Sequence, residues 1–157
     1  MERLPITAGG HAKLEAELRQ LKGHARPSVI QAIATAREHG DLSENAEYSA
    51  AKEQQSLIEG RIAELEDKLG RSEIIDVAAI TGNQIKFGAT VLLVDEDTDE
   101  ETTYQIVGED ESSIEQGLLS LSAPLARALI NKEQGDSIEV ITPGGSKAYE
   151  VLDVKFI

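Results

Sequence analysis

Arg37-Glu38-His39-Gly40-Asp41-Leu42-Ser43-Glu44-Asn45-Ala46-Glu47-Tyr48 stands between two long stretches whose apolar residues recur at helical spacing. Gly40 stops a helix, and two carboxylates, Asp41 and Glu44, follow it three positions apart. The stretch has almost no large apolar side chain with which to bury itself. It therefore reads as the turn of a helical hairpin, held out at the far end. On this reading it is a reaching device, and Asp41 and Glu44 are its working end.

Working outward towards the N-terminus, Leu14, Leu18, Leu21 and Ala25 recur at four, three and four, after a plausible cap at Thr7 and a short lead-in over residues 1–6. Val29, Ile33 and Ala36 resume the stripe one residue out of phase, and Gly23 and Pro27 are expected to bend or interrupt the helix there. Towards the C-terminus the second helix is expected to begin near Asp41. It carries Ala51, Gln55, Ile58, Ile62, Leu65 and Leu69, and Gly70 weakens its end. Two helices of about 30 residues, at ~1.5 Å each, make an antiparallel arm ~45 Å long. The large side chains gather near its base, and the contacts near the tip are expected to be Ala32, Ala34, Ala36, Ala46, Ala50 and Ala51. The same spacing would serve an oligomeric coiled coil, but polar Gln55 and the phase break weigh against a long regular zipper.

Beyond Ile74-Ile75-Asp76-Val77 and a turn at Thr81-Gly82-Asn83 the pattern changes to strands. Thr90–Val94 and Thr102–Val107 flank an acidic turn, Leu118–Leu121 is a third strand, and Ser122-Ala123-Pro124 starts a short helix through Leu125, Leu129 and Ile130. Ser137–Thr142 and Lys147–Ile157 form a terminal hairpin. The expectation is two domains: residues 1–76, an antiparallel α-helical coiled-coil hairpin, and residues 77–157, an α+β domain built on an antiparallel sheet with one short helix.

Composition narrows the chemistry. The chain has 157 residues and no Cys, so it has no disulfide, thiol nucleophile or zinc–thiolate site. There is no signal-peptide pattern and no apolar run long enough for a bilayer, so the expected setting is the cytoplasm, with no membrane contact. No Trp, three Tyr and two Phe leave few stacking platforms for bases. Residues 1–75 hold 10 basic and 13 acidic residues, net −3; residues 76–157 hold 5 and 16, net −11. So acidic a second half repels a phosphate backbone. It fits either plain solubility or a protein partner with a basic surface.

Asp41 and Glu44 have two readings. One is a capping box, with Asp41 at N-cap and Glu44 at N3. The other is half a metal site: Mg²⁺ is commonly held by one or two carboxylates, several waters and substrate phosphates. Such a half-site binds weakly alone but could complete a two-metal phosphoryl-transfer centre supplied by a partner. One carboxylate can do both. Glu44, Tyr48 and Lys52 share a helix face, and Arg37 lies one turn before the loop. Arg37 and Lys52 could neutralise phosphates, and Tyr48 could either stack on a base or pack between the helices.

The tip stretch, with Ala51-Lys52-Glu53-Gln54-Gln55, Glu59-Gly60-Arg61-Ile62, Phe87-Gly88-Ala89-Thr90-Val91, Tyr104-Gln105-Ile106-Val107-Gly108, Pro124-Leu125-Ala126-Arg127-Ala128-Leu129 and Thr142-Pro143-Gly144-Gly145, resembles the bacterial transcript cleavage factors of the Gre family, in the GreA branch. The resemblance spans essentially the whole chain. It implies an N-terminal coiled coil and a C-terminal domain of the FK506-binding-protein type. It further implies docking of that domain, around Ser122 and Pro124, at the rim of the secondary channel of RNA polymerase, with the coiled coil entering the channel. Family members stimulate the polymerase's own Mg²⁺-dependent cleavage of the 3′ end of backtracked RNA, and are not nucleases alone. Carried across by position, Asp41 and Glu44 help hold a Mg²⁺ shared with the polymerase, and Arg37, Tyr48 and Lys52 face the extruded RNA. The factor is expected to act as a monomer within the nucleic-acid-bearing complex, and the GreA-like tip implies short cleaved fragments. Ser43 stands where some relatives have Lys, which weakens the basic patch; Ala123 stands where relatives often have Ser, which removes a hydrogen bond near the docking loop. The alternatives are a module that plugs the channel and inhibits, against which both tip acids weigh, and a prolyl isomerase. The second half offers only Phe87, Tyr104, Tyr149 and Phe156 to line an isomerase pocket.

Overall fold

The fold was obtained as a computed structural model, which describes residues 2–40 and 45–157. Asp41, Leu42, Ser43 and Glu44 lie outside the described residues. Contacts divide the chain into a unit containing His11–Ser72 and a unit made of Arg3–Gly10 with Glu73–Ile157.

In the first unit the four–three apolar spacing closes an antiparallel helical hairpin. Its rising side is α1 (Ala8–Gln20), a π-helical turn (Leu21–Ala25) and α2 (Arg26–Arg37); its returning side is α3 (Ala46–Arg71). The π turn explains the phase slip read from the sequence. Arg26 N–H donates to Leu21 O, five residues back, so the turn accommodates one extra residue. Val29 and Ile33 then regain the seam despite arriving one position late. Pro27 follows directly on the π turn, at the second residue of α2. The helix is thus continued, not broken. Leu14, Val29, Ile33, Ala36, Ala51, Ile58, Ile62 and Leu65 are buried along the seam. Arg26 Nε and Nη2 each reach Glu59 at 2.8 Å, and Arg61 reaches Glu17 at 2.7 and 2.9 Å, as bidentate pairs across the hairpin.

Three expectations for this region need correction. The second helix begins at Ala46, not near Asp41. Ala32, Ala34, Ala46 and Ala50 are exposed, leaving Ile33, Ala36 and Ala51 as the tipward seam; a ~3.6-residue repeat puts Ala34 on the side away from Ala36, while Ala32 shares the face of Ala36 and is still exposed. Residues 4–7, read as lead-in, form a strand, β1 (Leu4–Thr7), which pairs with β2 (Ser72–Ile75).

The second unit is a five-stranded sheet of order β5-β4-β3-β7-β6: β3 (Thr90–Asp95), β4 (Glu101–Val107), β5 (Leu118–Ser120), β6 (Ser137–Thr142) and β7 (Gly145–Lys155). Alternation sends Val91, Leu93, Ile106, Leu119, Ile138, Val140 and Val151 into one core with Ala126 and Leu129 of α4 (Pro124–Leu129). All pairings are antiparallel except β4–β5, which is parallel. The expected antiparallel sheet is found in the other three pairings, and only this edge departs from it: 3₁₀ turns at Glu109–Glu111 and Ile114–Gln116 form a crossover instead of a hairpin. The cap of α4 is Ala123, without a side-chain hydrogen bond. Ser122 shares a 2.9 Å hydroxyl–hydroxyl contact with Ser120.

Glu111 fastens the start of the chain within this unit. Its carboxylate accepts from Thr7 N–H at 3.1 Å, from the Thr7 hydroxyl and from Gly108 N–H at 2.9 Å. Thr7 Oγ1 in turn accepts Gly10 N–H at 3.0 Å, which is the expected N-cap. Gly10 packs so closely on Glu111 that a Cβ there would collide with the carboxylate.

Candidate functional site

At the far end of the hairpin, α2 finishes with tightening bonds: Glu38 N–H to Thr35 O at 3.2 Å, His39 N–H to Ala36 O at 3.1 Å and Gly40 N–H to Arg37 O at 3.2 Å. Gly40 then takes φ +97°, a conformation that disfavours any side chain. On the other side Asn45 is the N-cap of α3. Its Oδ1 accepts Tyr48 N–H at 3.1 Å, and its Nδ2 donates to Ala36 O at 2.6 Å. One amide thus meets the unpaired donors of one helix start and an acceptor in the last turn of the other. A carboxylate or hydroxyl would cap equally well but could not reproduce this carboxamide's N–H clasp. The cap of α3 is therefore Asn45, four residues after the position the capping-box reading assigned.

That clasp sets the spacing of the candidate side chains. The Arg37 guanidinium lies 6.0 Å from the centroid of the Tyr48 ring, at the outer range of a cation–π contact. His39 Nε2 is 3.1 Å from Glu47 Oε2. Tyr48 is half-buried; Arg37 and Lys52 are exposed. Lys52 Nζ donates to Gln55 one turn on, at 3.3 Å. Arg37 and Tyr48 are brought together; Asp41 and Glu44 lie outside the described residues. In the second unit Ser122 and Pro124 are both exposed at the entrance to α4. Asn45 is the residue that sequence reading missed. Its signal was present, as an Asn three positions before Tyr48 at the start of a helical run.

The hairpin is polar along its length, and its ion pairs are set by geometry. Arg61 hydrogen bonds hold the Glu17 carboxyl below its ordinary value of 4.5, and Arg26 does the same for Glu59. Among the described residues no group of three or more His, Asp or Glu side chains is placed to hold a metal ion. No helix among them is long and apolar enough to cross a membrane.

The sequence matches two family descriptions end to end: "Transcription elongation factor, N-terminal" over residues 4–74, and "Transcription elongation factor, GreA/GreB, C-term" over residues 80–156. It is 60% identical over 157 residues, all of both chains, to the transcription elongation factor GreA of Caulobacter sp. (strain K31). This chain belongs to the GreA/GreB family of transcription elongation factors. A second GreA, from Ruegeria pomeroyi (strain ATCC 700808 / DSM 15171 / DSS-3), is 62% identical over 156 residues, 99% of each chain. Among solved structures, GreA factor homolog 1 of Thermus thermophilus aligns over 98% of this chain and 99% of its own at 25% identity, with a TM-score of 0.45. Within the GreA/GreB pattern, the two family descriptions meet between residues 74 and 80, just after the hairpin's return.

Proposed function

We propose that this elongation factor docks on RNA polymerase through its C-terminal unit, around Ser122 and Pro124, and passes its hairpin into the secondary channel. There it stimulates cleavage of the 3′ end of backtracked RNA, rescuing arrested complexes. The observation that carries the reading is the Asn45 clasp. It holds Arg37 over Tyr48 in the turns that immediately flank Asp41 and Glu44. A cation and an aromatic ring at one end of the arm, with Asp41 and Glu44 between them in the sequence, suit the handling of an extruded RNA end.

Each residue has a part. Arg37 and Lys52 meet backbone phosphates; Arg37 does so with a planar fork of donors and Lys52 as a point charge. A base that stacks on Tyr48 displaces the Arg37 guanidinium towards the adjoining phosphate. Asp41 and Glu44 offer hard oxygen donors only, which fits Mg²⁺ and leaves positions for water, phosphate and ligands from the polymerase. When bound, Mg²⁺ would supply charge neutralisation at the phosphate and a more acidic water. Asp41 and Glu44 would be the residues of this chain that hold the ion, and they would return to solvent when the arm withdraws. The chain is therefore not an enzyme by itself, and the scissile chemistry belongs to the polymerase.

The test is a halted, backtracked polymerase complex with Mg²⁺, challenged with wild type, Asp41→Asn and Glu44→Gln. Each substitution should slow cleavage on the order of 10²-fold, the scale for losing one preorganised electrostatic group, with binding to polymerase within twofold. Undiminished cleavage by the double variant would overturn the reading. Inhibition without trimming by the wild type would replace it with channel plugging. The isolated protein should leave the same RNA intact.

A further inference from the structure

One side of the hairpin carries a cavity with an apolar side chain beside it. The cavity measures about 260 Å³ and is open to solvent; His24, Ala25, Ser28, Val29, Ala32 and Gln54 line it. Two cross-helix ion pairs mark its side of the arm, Arg61 with Glu17 towards the base and His39 with Glu47 towards the tip. Glu47, Gln54 and Arg61 recur at seven on α3, as do Ala25, Ala32 and His39 on the rising side, so each set shares a helix face. Leu57 lies three residues after Gln54 and four before Arg61, on that same face. It is 70% exposed, more than any other large apolar side chain described on the hairpin. The contacts of Arg26 with Glu59 and of Arg37 with Tyr48 span the other side of the seam.

A knob beside a hole on one surface is the condition for pairing about a twofold axis, because residue i then meets residue j while j meets i. We propose that this side of the arm is a self-association surface, and that the occupant of the cavity is Leu57 of a second copy of this chain. An apolar cavity of about 150 Å³ takes a benzene ring, so this one has room for a leucine side chain. Charge favours the same occupant. Residues 11–72 hold 9 Lys and Arg against 11 Asp and Glu, net −2, while the rest of the chain holds 6 against 18, net −12. Two hairpins therefore approach with little repulsion, whereas the remaining parts of two copies repel. Antiparallel pairing sets Ser72, where each hairpin hands over to the acidic part of the chain, at opposite ends. The contact is small, so the dissociation constant is on the order of 100 μM. On the reading of the hairpin as a channel-entering arm, a paired copy is a stored copy, which must part before its arm can enter.

Sedimentation of the free full chain tests the pairing without polymerase. The weight-average mass should rise towards twice that of one chain between about 5 and 500 μM. It should rise further with added salt, which screens the acidic parts. Leu57→Ser removes the knob and Ser28→Phe fills the hole; both positions are exposed, so the hairpin still folds. Each should weaken association about tenfold or more. A chain that stays monomeric to about 500 μM, association that salt weakens, or variants that pair like the wild type overturn the proposal. In a second measurement Leu57→Cys is mixed with Ser28→Cys, in a chain with no Cys of its own. Oxidation should yield more mixed disulfide than the same mixture with Ile30→Cys in place of Ser28→Cys, Ile30 being exposed on the other side of the arm. Equal yields overturn it. The purified mixed dimer should leave backtracked RNA untrimmed until a reductant parts it, and undiminished trimming by the locked pair overturns the storage role. If the unlinked wild type trims nothing, the cleavage reading of the preceding section fails, while sedimentation still decides the pairing.

Discussion

Replacing Asn45 by Ala removes two bonds at one stroke. Tyr48 N–H loses its acceptor at 3.1 Å, and Ala36 O loses the Nδ2 donor at 2.6 Å while keeping His39 N–H at 3.1 Å. Loss of an N-cap costs about 1 kcal/mol, and a neutral hydrogen bond about 0.5–1.5 kcal/mol net. The combined loss should be roughly 2 kcal/mol, confined to the end of the hairpin because only Ile33, Ala36 and Ala51 form the seam there. The assay is native-state amide exchange at Tyr48 and Ser49, where ~2 kcal/mol corresponds to about 30-fold faster exchange. Asn45→Asp separates the two halves of the role. Its carboxylate still accepts Tyr48 N–H, favourably at a helix start, but it cannot donate to Ala36 O and sets an anion against that carbonyl. It should lie between wild type and Ala. If both variants exchange within twofold of wild type at Tyr48 and Ser49, Asn45 does not join the helices and the clasp argument fails.

Three further outcomes follow from the packing. Glu111→Ala strips a carboxylate of bonds from Thr7 N–H, the Thr7 hydroxyl and Gly108 N–H; the sheet-bearing unit should lose about 2–4 kcal/mol in urea unfolding followed by NMR, with Glu111→Gln losing less. Glu17 and Glu59 have folded-state values held below 4.5 by Arg61 and Arg26. Their contribution is complete above 4.5 and disappears as pH falls through the lowered values, so hairpin melting should be flat from pH 8 to 6 and drop below about pH 4.5, and Arg26→Met should flatten that acid limb. Gly23→Ala places a methyl group where nothing lies within 4 Å in a helical segment; it should raise the hairpin's stability by about 0.5–1 kcal/mol in thermal unfolding.

Legibility in the sequence followed the size of the side chains. Leu14, Val29, Ile58, Ile62 and Leu65 advertised the hairpin because burying each is worth roughly 1.5–3 kcal/mol and forces a periodic stripe. The strands read correctly for the same reason, through Val91, Leu93, Val140 and Val151. What escaped was decided by polar groups and by backbone geometry. Ala32 and Ala34 look identical to Ala36 in composition; helix phase turns Ala34 away, but Ala32 shares the face of Ala36 and only the fit against the facing helix leaves it exposed. The parallel β4–β5 pairing depends on a short 3₁₀ crossover that no periodicity announces. At the tip, Arg37, Tyr48 and Lys52 could be named from spacing. The clasp that orders Arg37 against Tyr48 was hidden in an Asn that reads equally well as a surface residue.

The extra residue in Leu21–Ala25 has a consequence for how the arm can change its length. Each residue turns a helix by about 100°, and the π segment already absorbs one such step, so deleting a residue there would restore an unbroken α-helix with Val29, Ile33 and Arg37 facing as they do now. A deletion elsewhere on the rising side has no such buffer and would swing every side chain tipward of it a quarter-turn or more around the axis.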